Sequence, residues 1–189
     1  TISMLVAFLP SVFIGPFAGV VIDRYNRKTV MIAADALVAF STALLGIAFW
    51  VLGQPPLWMV YAALLVRGLG STFHSPAMQA AIPMLVPEDM LTKAGGWGNL
   101  IASGGMLLGP VLGAFLMSAM PIAPIMLVDI LGAAFAIGSL FFVTIPDVPQ
   151  SAEKPHVLHD LMQGLRAIRK NRPLVAVTLP MVLATLVYM

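Results

Sequence analysis

Three charged residues and one histidine lie well inside long apolar stretches of the sequence, and each needs a physical reason to be there. They are Asp35, Arg67, His74 and Asp129. An ionisable side chain in a membrane-spanning segment costs roughly 2.5 kcal/mol or more, so it normally faces a partner or a water-filled cavity. Histidine also changes its charge between pH 5 and 8. These residues therefore indicate ion pairing, ligand binding or proton transfer inside a membrane.

The position of each residue in its stretch predicts its partner. Arg67 lies about ten residues, or roughly 15 Å, deep, and we interpret it as functional rather than as a structural arginine that binds helix-end carbonyls. Asp129 lies about seven residues deep from the same side, which permits pairing with Arg67, although a partner outside this chain is the alternative. Asp35 lies near the opposite end and is expected to pair with loop cations. For His74 we favour a hydrogen-bonded packing role over a proton relay.

Six apolar runs separated by short polar segments carry these residues. They cover residues 1–22, 29–51, 57–82, 92–119, 122–145 and 174–189. Each of the first five is close to the roughly 20 residues that a helix needs to cross a bilayer. The composition, with 60% hydrophobic and 10% charged residues, excludes an ordinary soluble domain, which carries roughly 25% charged residues. We therefore predict an all-α, polytopic membrane helix bundle.

The basic residues predict the orientation of the runs. Nine of the ten Lys and Arg residues follow the first, third and fifth runs, and the tenth is Arg67. The turns at Gln54 and Met120 carry no charge. By the positive-inside rule, the charged turns are cytoplasmic and the two uncharged turns are external.

The charged turn after the first run has a specific pattern, G-x-x-x-D-R-x-x-R-K. It consists of Gly19, Asp23, Arg24, Arg27 and Lys28. The pattern resembles the loop between helices two and three of the major facilitator superfamily. Asn26 stands where that family usually has glycine. Asparagine is the non-glycine residue that best tolerates a left-handed turn conformation, so the departure from the pattern is small.

The resemblance implies a conformational switch in this turn. In the family, the acid at the position of Asp23 holds the two halves of the transporter together in one of the alternating states, through a helix that this chain lacks. The alternative is a topology anchor, in which the basic residues only keep the turn inside. We apply that alternative mainly to Arg27 and Lys28.

A second motif, G-x-x-x-G-P-x-x-G, lies in the fourth run. Gly105, Gly109 and Gly113 are four residues apart and share one helix face, which allows another helix to approach closely. Pro110 removes a backbone hydrogen bond and is expected to bend the helix. The motif resembles the one on helix five that marks the antiporters of the same family, with Ala114 in place of the last glycine. A tightly packed, bent helix without a coupling role is the alternative.

The first and fourth runs also share a repeat. Gly15-Pro16-x-x-Gly19 recurs after 94 residues as Gly109-Pro110-x-x-Gly113, and the same offset aligns Asp35 with Asp129. Because the two runs cross the membrane in opposite directions, we interpret the pattern as an inverted three-helix repeat rather than as chance.

Residues 67–94 are similar to the branch of the family that contains macrolide exporters and the enterobactin exporter, and Arg67 occupies the place of an arginine on helix four of its proton-coupled drug exporters. The resemblance implies that the runs are helices two to seven of twelve. Residues 1–146 then form most of the amino-terminal half without its first helix. Residues 147–173 form a cytoplasmic connector with an amphipathic helix, and residues 174–189 begin helix seven.

The predicted function is proton-coupled efflux of small amphipathic compounds across the inner membrane of a bacterium. A siderophore-specific exporter of the same fold and a membrane scaffold that transports nothing are the alternatives. The expected partners are the bilayer, a small-molecule substrate, protons, and helices one and eight to twelve of the same protein. We expect no nucleic acid, cofactor, metal or enzymatic activity, because the sequence shows no catalytic constellation. His156 and His159 lack further ligands and are interpreted as solvated surface residues.

Overall fold

The computed structural model describes residues 2–146 and 180. In this part of the chain five α-helices and one short 3₁₀ turn are present and strands are absent, which confirms the all-α prediction. The helices are α1 (Ile2–Arg24), α2 (Arg27–Leu52), α3 (Leu57–Leu85), α4 (Leu91–Ala119) and α5 (Ile122–Phe142), and the 3₁₀ turn is Glu88–Met90. Apart from residue 180, the predicted connector at 147–173, with its two histidines, and the run at 174–189 lie outside the described residues.

Four segments of the described chain are long and apolar enough to cross a membrane. They are α1, α2, α5 and the stretch Glu88–Ala119, which combines the 3₁₀ turn with α4. Helix α3 has 29 residues and is also long enough, but it is not one of the four. Arg67 and His74 both lie on α3, and they lower its mean hydropathy. The helix that departs from the apolar pattern is therefore the one that carries two of the candidate residues.

Helix α3 packs against α1 and α2, and α2 in turn packs against α5. Small residues allow the close approach of α3 to its neighbours. A Cβ atom at Gly68 would collide with the backbone carbonyl oxygen of Ala7 on α1, and one at Gly70 would collide with the side chain of Val38 on α2. In an apolar solvent, van der Waals packing of this kind is a main source of helix association.

Hydroxyl groups add hydrogen bonds at the same contact between α1 and α3. The hydroxyl oxygens of Ser11 and Thr72 lie 3.0 Å apart. The Thr72 hydroxyl lies 2.7 Å from the carbonyl oxygen of Gly68, to which it donates. Thr72 is buried, so these bonds satisfy a polar group that has no access to water.

The buried core lies towards the charged turn. It consists of Ala18, Ile22, Met31, Ala77, Ala81 and Ile145. These residues come from α1, α2, α3 and the segment after α5. By contrast, α4 contains no buried residue in the described structure. The faces of α4 are therefore available to lipid or to further helices.

The helix bounds agree with the repeat predicted from the sequence. Moving α1 forward by 94 residues gives 96–118, which lies inside α4. The same shift moves α2 to 121–146, which spans the whole of α5. Two of the three helices in each repeat thus correspond without a gap.

Candidate functional site

The central feature of the site is an ion pair between α3 and α5. Arg67 donates from Nη1 to Oδ2 of Asp129 at 2.8 Å and from Nη2 to Oδ1 at 3.3 Å. The Thr42 hydroxyl on α2 donates to the same Oδ2 at 3.1 Å. Asp129 is thus held by two neighbouring helices. The pairing that residue depth permits is present, and no residue outside the described chain is needed for it.

In this pair, two hydrogen bonds join the planar guanidinium group of Arg67 to the carboxylate of Asp129. Two parallel hydrogen bonds from a guanidinium to a carboxylate fix the orientation of both groups, which a lysine could not do. The Arg67 side chain is nevertheless 56% exposed and that of Asp129 is 39% exposed. The pair is therefore open on one side rather than sealed in the core.

The open side of the pair faces a cavity of about 440 Å³. Three of its lining residues are charged, namely Asp35, Arg67 and Asp129. The others are apolar or glycine and come from α2, α4 and α5, for example Val38 and Leu116. A volume of this size, with apolar walls and a few polar groups, is typical of small-molecule sites.

Asp35 faces a second basic residue of α3. Nε2 of His74 lies 3.5 Å from Oδ2 of Asp35. That oxygen is buried and accepts no hydrogen bond. The prediction that Asp35 pairs with loop cations is wrong. Asp35 lies on the face of α2 that is directed towards α3, so its carboxylate contacts His74 instead. His74 thus contacts a carboxylate that borders the cavity, and its packing role stays a prediction.

The sequence contained signals for these contacts that residue depth alone does not use. Arg67 and His74 are seven residues apart, which places them on one face of a helix about two turns apart. Asp35 and Thr42 have the same spacing on α2. Thr42 was not among the predicted site residues, and its position on the helix face of Asp35 is the pattern that identifies it.

The charged turn between α1 and α2 is organised by Asn26 as a helix cap. Asn26 has φ −57° and ψ 120°, so it does not adopt the left-handed conformation that asparagine tolerates. Its side-chain oxygen accepts hydrogen bonds from the backbone N–H groups of Lys28 at 2.9 Å and Thr29 at 3.3 Å. An asparagine at this position satisfies donors that the first turn of a helix leaves free.

The two basic residues at the start of α2 reach other helices. Lys28 donates from Nζ to the backbone carbonyl oxygens of Phe141 at 3.3 Å and Val143 at 2.9 Å. A cation at the carboxyl end of α5 also interacts favourably with the helix dipole. Arg27 donates from Nη1 to the sulfur of Met84 near the end of α3. Both residues therefore join helices, which a topology anchor alone would not require.

The other predicted residues of this turn are Gly19, Asp23 and Arg24. Asp23 is exposed near the end of α1, and within the described residues nothing lies within 4 Å of a Cβ atom placed at Gly19. Arg24 takes part in an interaction of its own. The switch role that the resemblance implies for Asp23 stays a prediction.

The glycine motif of α4 lies on an open face. Gly105 and Gly109 are exposed, and a Cβ atom at either of them or at Gly113 would meet nothing within 4 Å in the described structure. The helix continues through Pro110 without a break. The predicted close approach of another helix to this face is not made by any described helix, and it stays a prediction.

Among the described residues no group of three or more His, Asp, Glu or Cys side chains could hold a metal ion. The candidate site therefore consists of the Arg67–Asp129 pair, its Thr42 support, the Asp35–His74 contact and the cavity that Asp35, Arg67 and Asp129 line. The arrangement places an ion pair and a second carboxylate on the wall of an otherwise apolar cavity.

Comparison with known proteins gives one consistent family. The family model described as Major Facilitator Superfamily matches residues 1–189. Macrolide efflux protein A of Enterococcus faecalis is 36% identical over 98% of this chain and 58% of its own length. The protein of the same name from Streptococcus pyogenes is 35% identical over the whole chain and 47% of its own length. The uncharacterized MFS-type transporter YkuC of Bacillus subtilis is 26% identical over 91% of this chain. The chain spans about half the length of the macrolide efflux proteins it matches.

Proposed function

Because this chain belongs to the major facilitator superfamily, we propose that the full-length protein is a secondary active transporter that exports small amphipathic compounds in exchange for protons. Two relatives that match nearly all of this chain carry the name macrolide efflux protein A, which supports efflux as the direction of transport. All the relatives named above are bacterial, which supports the inner membrane of a bacterium as the location.

The observation that carries the proposal is the open Arg67–Asp129 pair on the cavity wall. A transporter needs a binding space and a group whose charge differs between its states. The cavity of about 440 Å³ supplies the space. A proton taken up by Asp129 removes the negative charge to which Arg67 is bound, and Arg67 then becomes available to the cavity. Loss of that proton restores the pair.

Alternating access further requires that the helices move as bodies. Lys28 binds the end of α5 and Arg27 binds α3 near its end, so the charged turn transmits a movement of α2 to both neighbours. Asp23, at the end of α1, is the residue we propose to contact the half of the protein beyond this chain.

The open glycine face of α4 has a matching role in this proposal. Gly105, Gly109 and Gly113 present backbone rather than side chains, and such a face permits close contact between membrane helices. We assign this face to contact with helices outside the described structure. Approach of those helices to the glycine face of α4, and their separation from it, would close and open the cavity during the transport cycle.

The experiment that tests the proposal is transport into inside-out membrane vesicles that contain the full-length protein. An acidic vesicle interior should drive accumulation of an exported drug, and nigericin, which collapses the pH gradient, should abolish it. Vesicles without the protein are the control. Accumulation that survives collapse of the gradient would contradict proton exchange. A failure of every drug and siderophore to move would favour the non-transporting scaffold.

A further inference from the structure

The contact between Asp35 and His74 is not used by the proton exchange described above. The Asp35 side chain lies between the cavity and His74. Asp35 lines the cavity, and its buried Oδ2 atom lies 3.5 Å from Nε2 of His74. His74 itself does not line the cavity. Any effect of His74 on a molecule in the cavity must therefore pass through Asp35.

Among the charged residues that line the cavity, Asp35 carries a negative charge that no other lining residue neutralises. Arg67 and Asp129 neutralise each other through a bidentate pair, and the remaining described lining residues apart from Asp35 are uncharged. When His74 is neutral, the cavity wall therefore carries one net negative charge. When His74 carries a proton, the charge of Asp35 is balanced as well, and the wall is neutral overall.

The described helices that pack around this pair carry few other ionisable groups. Helix α1 has none between Ile2 and Ile22, and α2 has only Asp35 after its first turn. Helix α5 has only Asp129. Helix α3 adds Tyr61 and Arg67 to His74, and Arg67 is already bound to Asp129. Within this part of the chain, His74 is thus the side chain in contact with Asp35 whose protonation would add a positive charge beside it.

We propose that His74 sets the charge that Asp35 presents to the cavity, so that the cavity selects monovalent organic cations when His74 is neutral and uncharged amphiphiles when His74 is protonated. A proton from solvent binds Nε2 of His74, and the resulting N–H donates to the buried Oδ2 that now accepts no hydrogen bond. Hydrogen bonds between an imidazolium and a carboxylate are stronger than neutral ones. His74 is a positioning residue in this scheme, and Asp35 determines specificity.

This inference rests on the proposed function in one respect, since it takes the cavity as the substrate site. The test is equilibrium binding to the full-length protein in lipid nanodiscs, with two probes of similar size and different charge. Tetraphenylphosphonium is the monovalent cation, and triphenylphosphine oxide is the uncharged probe. Between pH 8 and pH 5.5 the Kd of the cation should rise about tenfold, within the range typical of coupled binding. The Kd of the uncharged probe should change less than about twofold over the same range.

Two variants separate the roles of the residues. His74→Gln should keep cation binding at pH 8 and lose its pH dependence, because glutamine carries no charge at either pH. Asp35→Asn should weaken cation binding at pH 8 about tenfold and leave the uncharged probe unaffected. Asp35→Glu, which keeps the charge, should retain preference for the cation. Glu88→Gln, in the exposed turn before α4, is the matched control and should behave as the unmodified protein.

Each other outcome contradicts the inference. If the Kd of the cation still depends on pH in His74→Gln, another group is responsible for the pH dependence. If the Kd values of both probes change equally with pH, the protein has lost binding in general. Absence of cation binding at pH 8 would also overturn it. Proton-driven export in vesicles is measured separately, so the proposed function can hold while this inference fails. Size-exclusion profiles and melting temperatures identify any variant that has merely unfolded, and Asp35→Ser and His74→Asn, which also remove the titratable group, then replace it.

Discussion

Asp35 and Asp129 occupy equivalent positions of two repeated helices, and each faces a basic side chain of α3. Helix α3 therefore serves as a common partner for both acids, through Arg67 near its middle and His74 about two turns further on. A displacement of α3 relative to α2 and α5 would alter both contacts together. We therefore propose α3 as the helix that links changes of charge to changes of helix position.

The first prediction concerns the orientation of the helices. We expect a membrane-impermeant thiol reagent to label a cysteine at Gln54 in intact cells but not a cysteine at Asp89. The reason is that the basic residues lie in alternate turns, which the positive-inside rule places in the cytoplasm. Residues 1–189 contain no cysteine of their own, so within them the introduced cysteine is the one that the reagent can label. Labelling at position 89 but not at position 54 would reverse the orientation.

The second prediction concerns the contact of Lys28 with the end of α5. Lys28→Met keeps much of the apolar stem but removes the donor that binds the carbonyl oxygens of Phe141 and Val143. We expect a loss of about 0.3–1 kcal/mol of stability, the usual value for a cation at a helix carboxyl end, together with slower transport. The melting temperature and the initial transport rate measure these effects. Lys93→Met, in the exposed first turn of α4, is the control, and equal effects at both positions would contradict the prediction.

The third prediction separates two kinds of glycine. Gly68→Ala should lower the melting temperature of the purified protein, because a Cβ atom there meets the carbonyl oxygen of Ala7, and overpacking of this kind costs about 1–3 kcal/mol. Gly95→Ala meets nothing within 4 Å in the described structure and should have little effect. Similar melting temperatures for the two variants would show that α1 and α3 do not approach as closely as described.

The sequence predicted the helices well because their lengths follow from the thickness of the bilayer. The run predicted at 92–119 became α4, Leu91–Ala119, and the other runs before residue 146 agree with their helices to within about three residues. The pairing of Arg67 with Asp129 was within reach for a related reason, since depth along a helix can be counted from its end.

The contacts of Asp35 and Asn26 were not predicted, and the cause is the same in both. The depth of a residue along its helix gives its distance from the membrane surface but not the neighbouring helix that it faces. For Asp35, the neighbour that it faces depends on how α2 crosses α3. For Asn26, the choice between a left-handed turn and a helix cap depends on where α2 begins. A cap needs only a side-chain oxygen before the first free N–H groups, and the start of α2 at Arg27 provides them.

The fourth prediction concerns the glycine face of α4. Gly109→Leu should abolish transport while the protein still reaches the membrane, because the leucine would hold apart two helices that must approach. The described part of the protein should fold normally, since nothing in it lies within 4 Å of this position. Gly95→Leu, equally open but near the start of the helix, should affect transport less. Equal losses of transport at equal expression would remove the case for a special face.

The last prediction concerns the ion pair at the cavity. Arg67→Ala leaves Asp129 with the Thr42 hydroxyl as its hydrogen-bond partner among the described residues, and it should abolish concentrative export into inside-out vesicles with an acidic interior. Arg67→Lys keeps the charge but not the planar pair of donors. The loss of one hydrogen bond to a charged group costs about 1.5 kcal/mol or more, so we expect roughly a tenth of the normal rate. Lys93→Ala is the control for the loss of a positive charge elsewhere. Full export by Arg67→Ala, at equal expression and with the gradient intact, would exclude the pair from coupling.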